Sequence, residues 1–221
     1  MAEFFDCSDS SQLLAGTRTA RQAIGRGELV VVPTDTVYGV AADAFNPDAV
    51  QRLLDAKGRD RQSPPPVLIP NTDTLAALAA EVVAPVRALA DAFWPGALTI
   101  ITQANPLLSW DLGETGGTVA LRIPHQPLAL ELLRETGPLA VSSANLTGRP
   151  AARTAAEARE MLGDSVSVYL DAGPAAGDGV ASTIVDATRL TEDGGEIRIL
   201  REGGVSRDLI AELLPQVVFG E

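Results

Sequence analysis

Short unbroken apolar runs alternate along this chain with segments whose apolar positions recur every three or four residues. That alternation predicts strands and helices in turn. Residues 29–32 (LVVV) form the first such run, rich in β-branched types. Pro33 ends it, because proline has no N–H for a ladder. Further strands are expected at 66–69, 97–102, 118–123, 139–141, 166–170, 182–186 and 196–201, with a short one at Phe4-Phe5. Gly194-Gly195 supplies a turn between the last two of the long series.

Helices are punctuated as clearly. Residues 10–26 carry a stripe of Leu13, Leu14, Ala20 and Ile24 that Gly25 and Gly27 close. Asn46 is placed to cap the next helix and Pro47 suits its first turn. In that helix Val50, Leu53, Leu54 and Lys57 fall on one face, and Gly58 stops it. Thr72 or Asp73 opens a helix with Leu75 and Leu78. Pro85 opens one through Val86, Leu89, Ala90 and Phe93, and Pro127 one through Leu128, Leu132 and Leu133. Thr154 and Glu157 make a capping box for a helix to Leu162, and 208–214 closes the chain. The alternation is α/β, with seven or so strands and six or so helices, a count good to about two of each. Between strands, 105–117 with its glycines and Trp110 reads as a loop flanking a cleft.

Composition narrows the chemistry. The 221 residues are 46% hydrophobic, enough for one domain with a substantial core. The net charge of −12, from 17 basic and 29 acidic residues, disfavours general nucleic-acid binding. One cysteine, Cys7, excludes a disulfide framework. The acidic N-terminus lacks the pattern of a signal peptide and no apolar run is of membrane-spanning length, so a cytoplasmic protein is expected.

Against that acidic background, Lys57 is the only lysine, and residues 52–61 hold four cations to two aspartates. A lysine on the inward face of its helix, with Arg59 just beyond, suits an anionic ligand. It also suits the helix dipole alone, so the position leaves both readings open. Thr34, Thr36 and Tyr38 lie two apart, which in an extended chain puts three hydroxyls on one face. Arg122 follows a strand and reads as a carboxylate clamp or as an edge arginine. Ser143 and Asn145 follow the next strand and suit a turn, a ligand contact, or both. Asp171 and Asp186 read as turn formers rather than metal ligands, and His125 as a surface or capping residue. No histidine or cysteine cluster offers a metal cage or an ordinary general base.

Six stretches taken in order, PTDTVYGVAADA, KGR, TVALRIP, SSANLTGRP, ASTIVD and ILREGG, resemble the YrdC-like family, the threonylcarbamoyl-AMP synthases. They span roughly residues 30–204. The resemblance implies an α/β fold with an open, twisted mixed sheet and flanking helices around a large concave cavity. It implies a catalytic domain at 1–204 with a short helix and tail at 205–221. The implied reaction joins L-threonine, bicarbonate and ATP into threonylcarbamoyl-AMP and pyrophosphate, with Mg²⁺ arriving on ATP and tRNA-modifying machinery downstream. Lys57, Arg59, Ser143 and Asn145 would form the polar tetrad of catalysis. Thr34, Thr36, Tyr38, Arg122, Val141 and Ser182 would hold threonine. Ser63, Thr118, Ala151 and Arg201 would join the tetrad around ATP. Where family members often carry Asn-Pro and then a histidine after KGR, this chain has Ser63-Pro64 and Leu68. A nucleotide- or RNA-binding module, or a relative making another carbamoyl adenylate, are the competing readings.

Overall fold

The computed structural model describes residues 2–176, 179–191 and 195–220. They form strands β1 (Glu3–Asp6), β2 (Val30–Val32), β3 (Gly39–Asp43), β4 (Val67–Leu68), β5 (Leu98–Gln103), β6 (Thr118–Arg122), β7 (Leu139–Ser143), β8 (Val168–Asp171), β9 (Thr183–Asp186), β10 (Glu196–Arg201) and β11 (Val218–Phe219). The helices are α1 (Ser10–Gly25), α2 (Pro47–Lys57), α3 (Thr72–Leu78), α4 (Ala84–Phe93), α5 (Pro127–Thr136), α6 (Ala155–Leu162) and α7 (Arg207–Leu213). One mixed sheet runs β1-β8-β2-β3-β7-β4-β6-β5-β9-β10-β11, open at both edges.

The unbroken apolar strands are explained by what covers them. Val31, Val40 and Ala42 face α2 and α6 through Ala49, Leu53, Ala155 and Leu162. Val30, Val32 and Ala41, one position out of step, face α1 and α5 through Ala23, Ile24, Leu132 and Leu133. A strand sandwiched between helix layers needs no polar face. Farther along the sheet, Val67, Ile100 and Leu121 pack with Leu75 of α3 and Leu89 of α4.

Most helix punctuation acts as expected. Asn46 Oδ1 accepts the Asp48 and Ala49 N–H groups, and Gly58 ends α2 at φ 63° in the left-handed region. The α3 cap is a correction: Asn71, not Thr72 or Asp73, accepts the Thr74 N–H. In α6, Thr154 caps Glu157, whose carboxylate reaches back to the Arg153 N–H at 2.7 Å. Two strands went unseen in the apolar pattern. β3 reads GVAAD, with a glycine and two alanines that have little intrinsic strand preference. β11 is two residues paired to the β10 edge. Gly194 lies outside the described residues, but β9 and β10 pair antiparallel as the turn there implied.

The C-terminal segment is built into the core, with Val205, Ile210 and Leu214 buried beside Ile197. Thr183 Oγ1, fully buried, donates to the Val205 carbonyl and accepts the Gly203 and Val205 N–H groups. A Cβ added at Gly203 would stand 2.1 Å from the Ala181 carbonyl oxygen, a backbone atom with nowhere to go. Gly203→Ala is therefore expected to cost about 1–3 kcal/mol, read as a lowered thermal midpoint.

Candidate functional site

The segment between β2 and β3, 33–38, is a bend rather than extended chain. This overturns the expectation of three hydroxyls side by side. Thr34 Oγ1 donates to the Val37 carbonyl at 2.5 Å and accepts the Thr36 N–H, so its hydroxyl closes the turn. Thr36 Oγ1 lies 3.1 Å from Thr34 Oγ1. Because the Thr34 proton is committed to Val37, Thr36 is the donor of that pair, and what Thr36 retains is acceptor capacity. Tyr38 points its hydroxyl elsewhere: it donates to the Gly173 carbonyl at 2.5 Å and accepts the Ala172 N–H. Burial pushes that phenol well above its ordinary pKa. Tyr38 thus borders the hollow described below without offering its hydroxyl to it.

Arg122, at the end of β6, is gathered into the same corner. Its Nε donates to the Gly96 carbonyl at 2.9 Å, Nη1 to Thr36 Oγ1 at 3.1 Å and Nη2 to Asp35 Oδ1 at 2.7 Å. Asp35 also accepts the His125 backbone N–H, while the His125 side chain is exposed. The edge-arginine reading fails, since only 7% of Arg122 is exposed. Its guanidinium already holds a carboxylate from its own chain, one that the hydroxyl spacing gave no reason to notice.

α2 delivers Lys57 to the loop that follows β7. The side chain is 1% exposed, and Nζ donates to the Ser143 carbonyl, to the Asn145 carbonyl at 2.7 Å and more weakly to Asn145 Oδ1 at 3.4 Å. Its own carbonyl accepts the Thr147 N–H. Asn145 Nδ2 in turn donates to the Leu146 and Arg149 carbonyls. Lys57 and Asn145 therefore meet, but the ammonium is spent behind the loop and does not line the hollow. Burial first, then the nearby Arg59 charge, pull Lys57 down to about 8. The carbonyl oxygens around it act the other way, favouring the charged form.

In front of this layer lies a hollow of about 490 Å³, in the range of small-molecule sites. Thr34 and Thr36 of the bend border it, as do Leu68, Thr118, Val141, Ala151 and Ser182 from other strands and loops. Ser143 does too, and its hydroxyl has no partner among the described residues. Arg59 enters from beyond Gly58 and donates to Ser142 Oγ at 3.3 Å. Arg201 of β10 grips the Ser182 carbonyl through Nε and Nη2 at 3.0 and 2.8 Å. Ser182 Oγ meets Thr99 Oγ1 at 2.8 Å. Ser63 does not reach the main hollow; it borders an adjoining one of about 370 Å³ that shares Arg59 and Pro64.

Charge decides what such a hollow holds. Arg59, Arg122, Arg149 and Arg201 line it, and among the described residues no acidic side chain does. Burial pulls Arg201 below its ordinary pKa, and the Arg122 and Arg59 charges add to that effect, so the guanidiniums feel one another. A cluster of like charges persists where it awaits an opposite one. Arg149 went unassigned in the sequence although it sits inside SSANLTGRP. Asp171 and Asp186 act as turn formers, accepting the Gly173 and Thr188 N–H groups. Among the described residues no group of three metal-ligating side chains forms, and no helix is long and apolar enough to cross a membrane.

Known proteins resemble this chain in sequence and in fold. The Sua5/YciO/YrdC family model, described as "Telomere recombination", matches residues 22–203. A Mycobacterium tuberculosis (strain ATCC 25618 / H37Rv) relative is 51% identical over 214 residues, 97% of this chain and 96% of its own. A Bacillus subtilis (strain 168) protein named threonylcarbamoyl-AMP synthase is 37% identical over 197 residues, 88% of this chain and 55% of its own. The crystal structure of P. abyssi Sua5 complexed with L-threonine superposes with a TM-score of 0.85 at 31% identity. That match covers all of this chain, which spans only 62% of the length of the P. abyssi chain.

Proposed function

The chain belongs to the Sua5/YciO/YrdC family, and on that premise we propose that it is a threonylcarbamoyl-AMP synthase, an enzyme of nucleotidyl transfer. The observation that carries the reading is a hollow that, among the described residues, four arginines and no carboxylate line, within a protein of net charge −12. ATP supplies the missing negative charge.

The threonine amine adds to bicarbonate with loss of water, giving a carbamate. A carbamate oxygen then attacks the α-phosphorus of ATP, and the bond to pyrophosphate breaks. Much of the barrier to such a transfer yields to alignment and charge neutralisation, which cations and hydroxyls provide without a strong base. Arg59, Arg149 and Arg201 face the phosphates; Ser143 and Thr118 offer hydroxyls beside them. Arg122 takes the threonine carboxylate, and Thr36, as an acceptor, takes its amine or hydroxyl. Lys57 and Asn145 hold the loop that presents Ser143. Among the described residues the lining has no carboxylate to hold Mg²⁺, which would therefore arrive with ATP, and no step is assigned to it. Residues 1–204 act as the catalytic unit, and the described part of the 205–221 tail closes its core. The adenylate passes in the cytoplasm to the machinery that modifies tRNA.

Pyrophosphate release tests the whole reading. Release is expected only when ATP, L-threonine and bicarbonate are all present. RNA affinity with a steep salt dependence and no release under any amino acid would turn the reading into a binding module. Faster release with another amine than with threonine would assign a different carbamoyl adenylate.

A further inference from the structure

We infer that Asp35 is a positioning residue for amino-acid binding: it fixes the Arg122 guanidinium so that two N–H groups remain for the substrate carboxylate. This rests on the proposed function, because it names how that site receives threonine. The count follows from the bonds already described. A guanidinium has five N–H donors. Nε is spent on Gly96, one N–H of Nη1 on Thr36 and one of Nη2 on Asp35. One donor remains on each terminal nitrogen, and Arg122 borders the hollow.

Asp35 does more than fill a bond. It stands between Thr34 and Thr36 in the bend, so the segment that turns the Thr36 hydroxyl toward Nη1 also carries the carboxylate on Nη2. Arg122 and Asp35 side chains are 8% and 12% exposed, so water does little to hold the fork if the carboxylate is lost. The His125 N–H, 2.9 Å from the same Oδ1, keeps Asp35 from turning away. The pair is close to neutral as a unit, so Arg122 recognises a carboxylate by direction, and the remaining arginines supply the field that draws in the triphosphate.

Titration calorimetry of L-threonine and, separately, of ATP on the full chain tests this. Asp35→Ala is expected to weaken threonine binding about 10–100-fold with ATP binding little changed. Asp35→Asn, which keeps an oxygen for both donors but loses the charge, recovers only part of the loss. In the pyrophosphate assay the Asp35→Ala effect falls on the threonine KM and not on kcat. If Asp35→Ala does not fold, the same comparison is read from Asp35→Asn, expected to bind threonine more weakly than the unaltered protein and ATP equally well. Equal weakening of threonine and ATP, or threonine binding unchanged in whichever variant folds, overturns the role of Asp35 alone. Failure of the unaltered protein to bind L-threonine overturns the proposed function beneath it.

Discussion

Replacing Lys57 with alanine is expected to cut adenylate formation by about 10²–10³-fold, the scale of losing a preorganised charged contact. The cause differs from that of a phosphate ligand. Lys57 Nζ bonds the Ser143 carbonyl and both oxygens of Asn145, and its carbonyl holds Thr147. Without the ammonium these acceptors face each other with no donor, each costing about 1–3 kcal/mol if water cannot reach it. The loop then moves, and Ser143 and Arg149 move with it. Lys57→Met, which keeps the packing, is expected to lose nearly as much activity, because the bonds and not the volume matter. Activity and stability also part with pH. The folded value of about 8 lies below the ordinary 10.5. The unfolded chain therefore binds more protons between those values, and stability from this group is present above the upper one and lost as pH falls through the lower. Activity should run the other way, falling above pH 8 as the loop loses a donor. A kcat profile at saturating substrates, compared with Lys57→Met, checks the limb.

Arg122→Ala should be the most damaging change to the fold within the site. Removing one member of a buried ion pair strands the other, at a cost of about 3–5 kcal/mol. The Asp35 carboxylate, 12% exposed, would keep only the His125 N–H. For a chain of this size each kcal/mol moves the thermal midpoint by about 2–4 °C. The expected drop is thus large in a melting experiment, and threonine-dependent pyrophosphate release should vanish with it. Arg122→Ala combined with Asp35→Ala should recover part of the midpoint, since no charge is then left alone, but none of the activity. Recovery of activity in the double variant would remove Arg122 from substrate binding. A midpoint no higher than in the single variant would show that the ion pair is not what stabilises the corner.

Much of the fold was legible because its signals are local. Pro47, Gly58, Pro127 and Gly137 mark helix ends whatever lies around them. Leu29 to Val32 reads as a buried strand because helices cover both faces. β3 was illegible for the converse reason: Ala41 and Ala42 are in the sheet because β2 and β7 flank them, not by preference. In the site, residue types were readable and directions were not. The spacing of Thr34, Thr36 and Tyr38 carried the assumption of an extended backbone. The bend at 33–38 broke it, turning Tyr38 toward Gly173 and bringing Asp35 onto Arg122. Lys57 was rightly singled out, yet its inward face meets backbone carbonyls first, which no pattern of side chains reveals.

The order of strands in the sheet has a consequence for how the chain comes off the ribosome. Among the described residues β1 pairs only with β8, whose Val168 to Asp171 lie beside Glu3 to Asp6, and the edge of β5 away from β6 stays bare until β9 is made. Such distant pairings make for slow folding, because long loops must close before the contact that rewards them. Nascent chains ending before residue 168 would carry bare strand edges, the kind that stick to one another or recruit chaperones. The arginine-lined chamber, with walls drawn from Thr34 through Arg201, can exist only once synthesis is nearly finished.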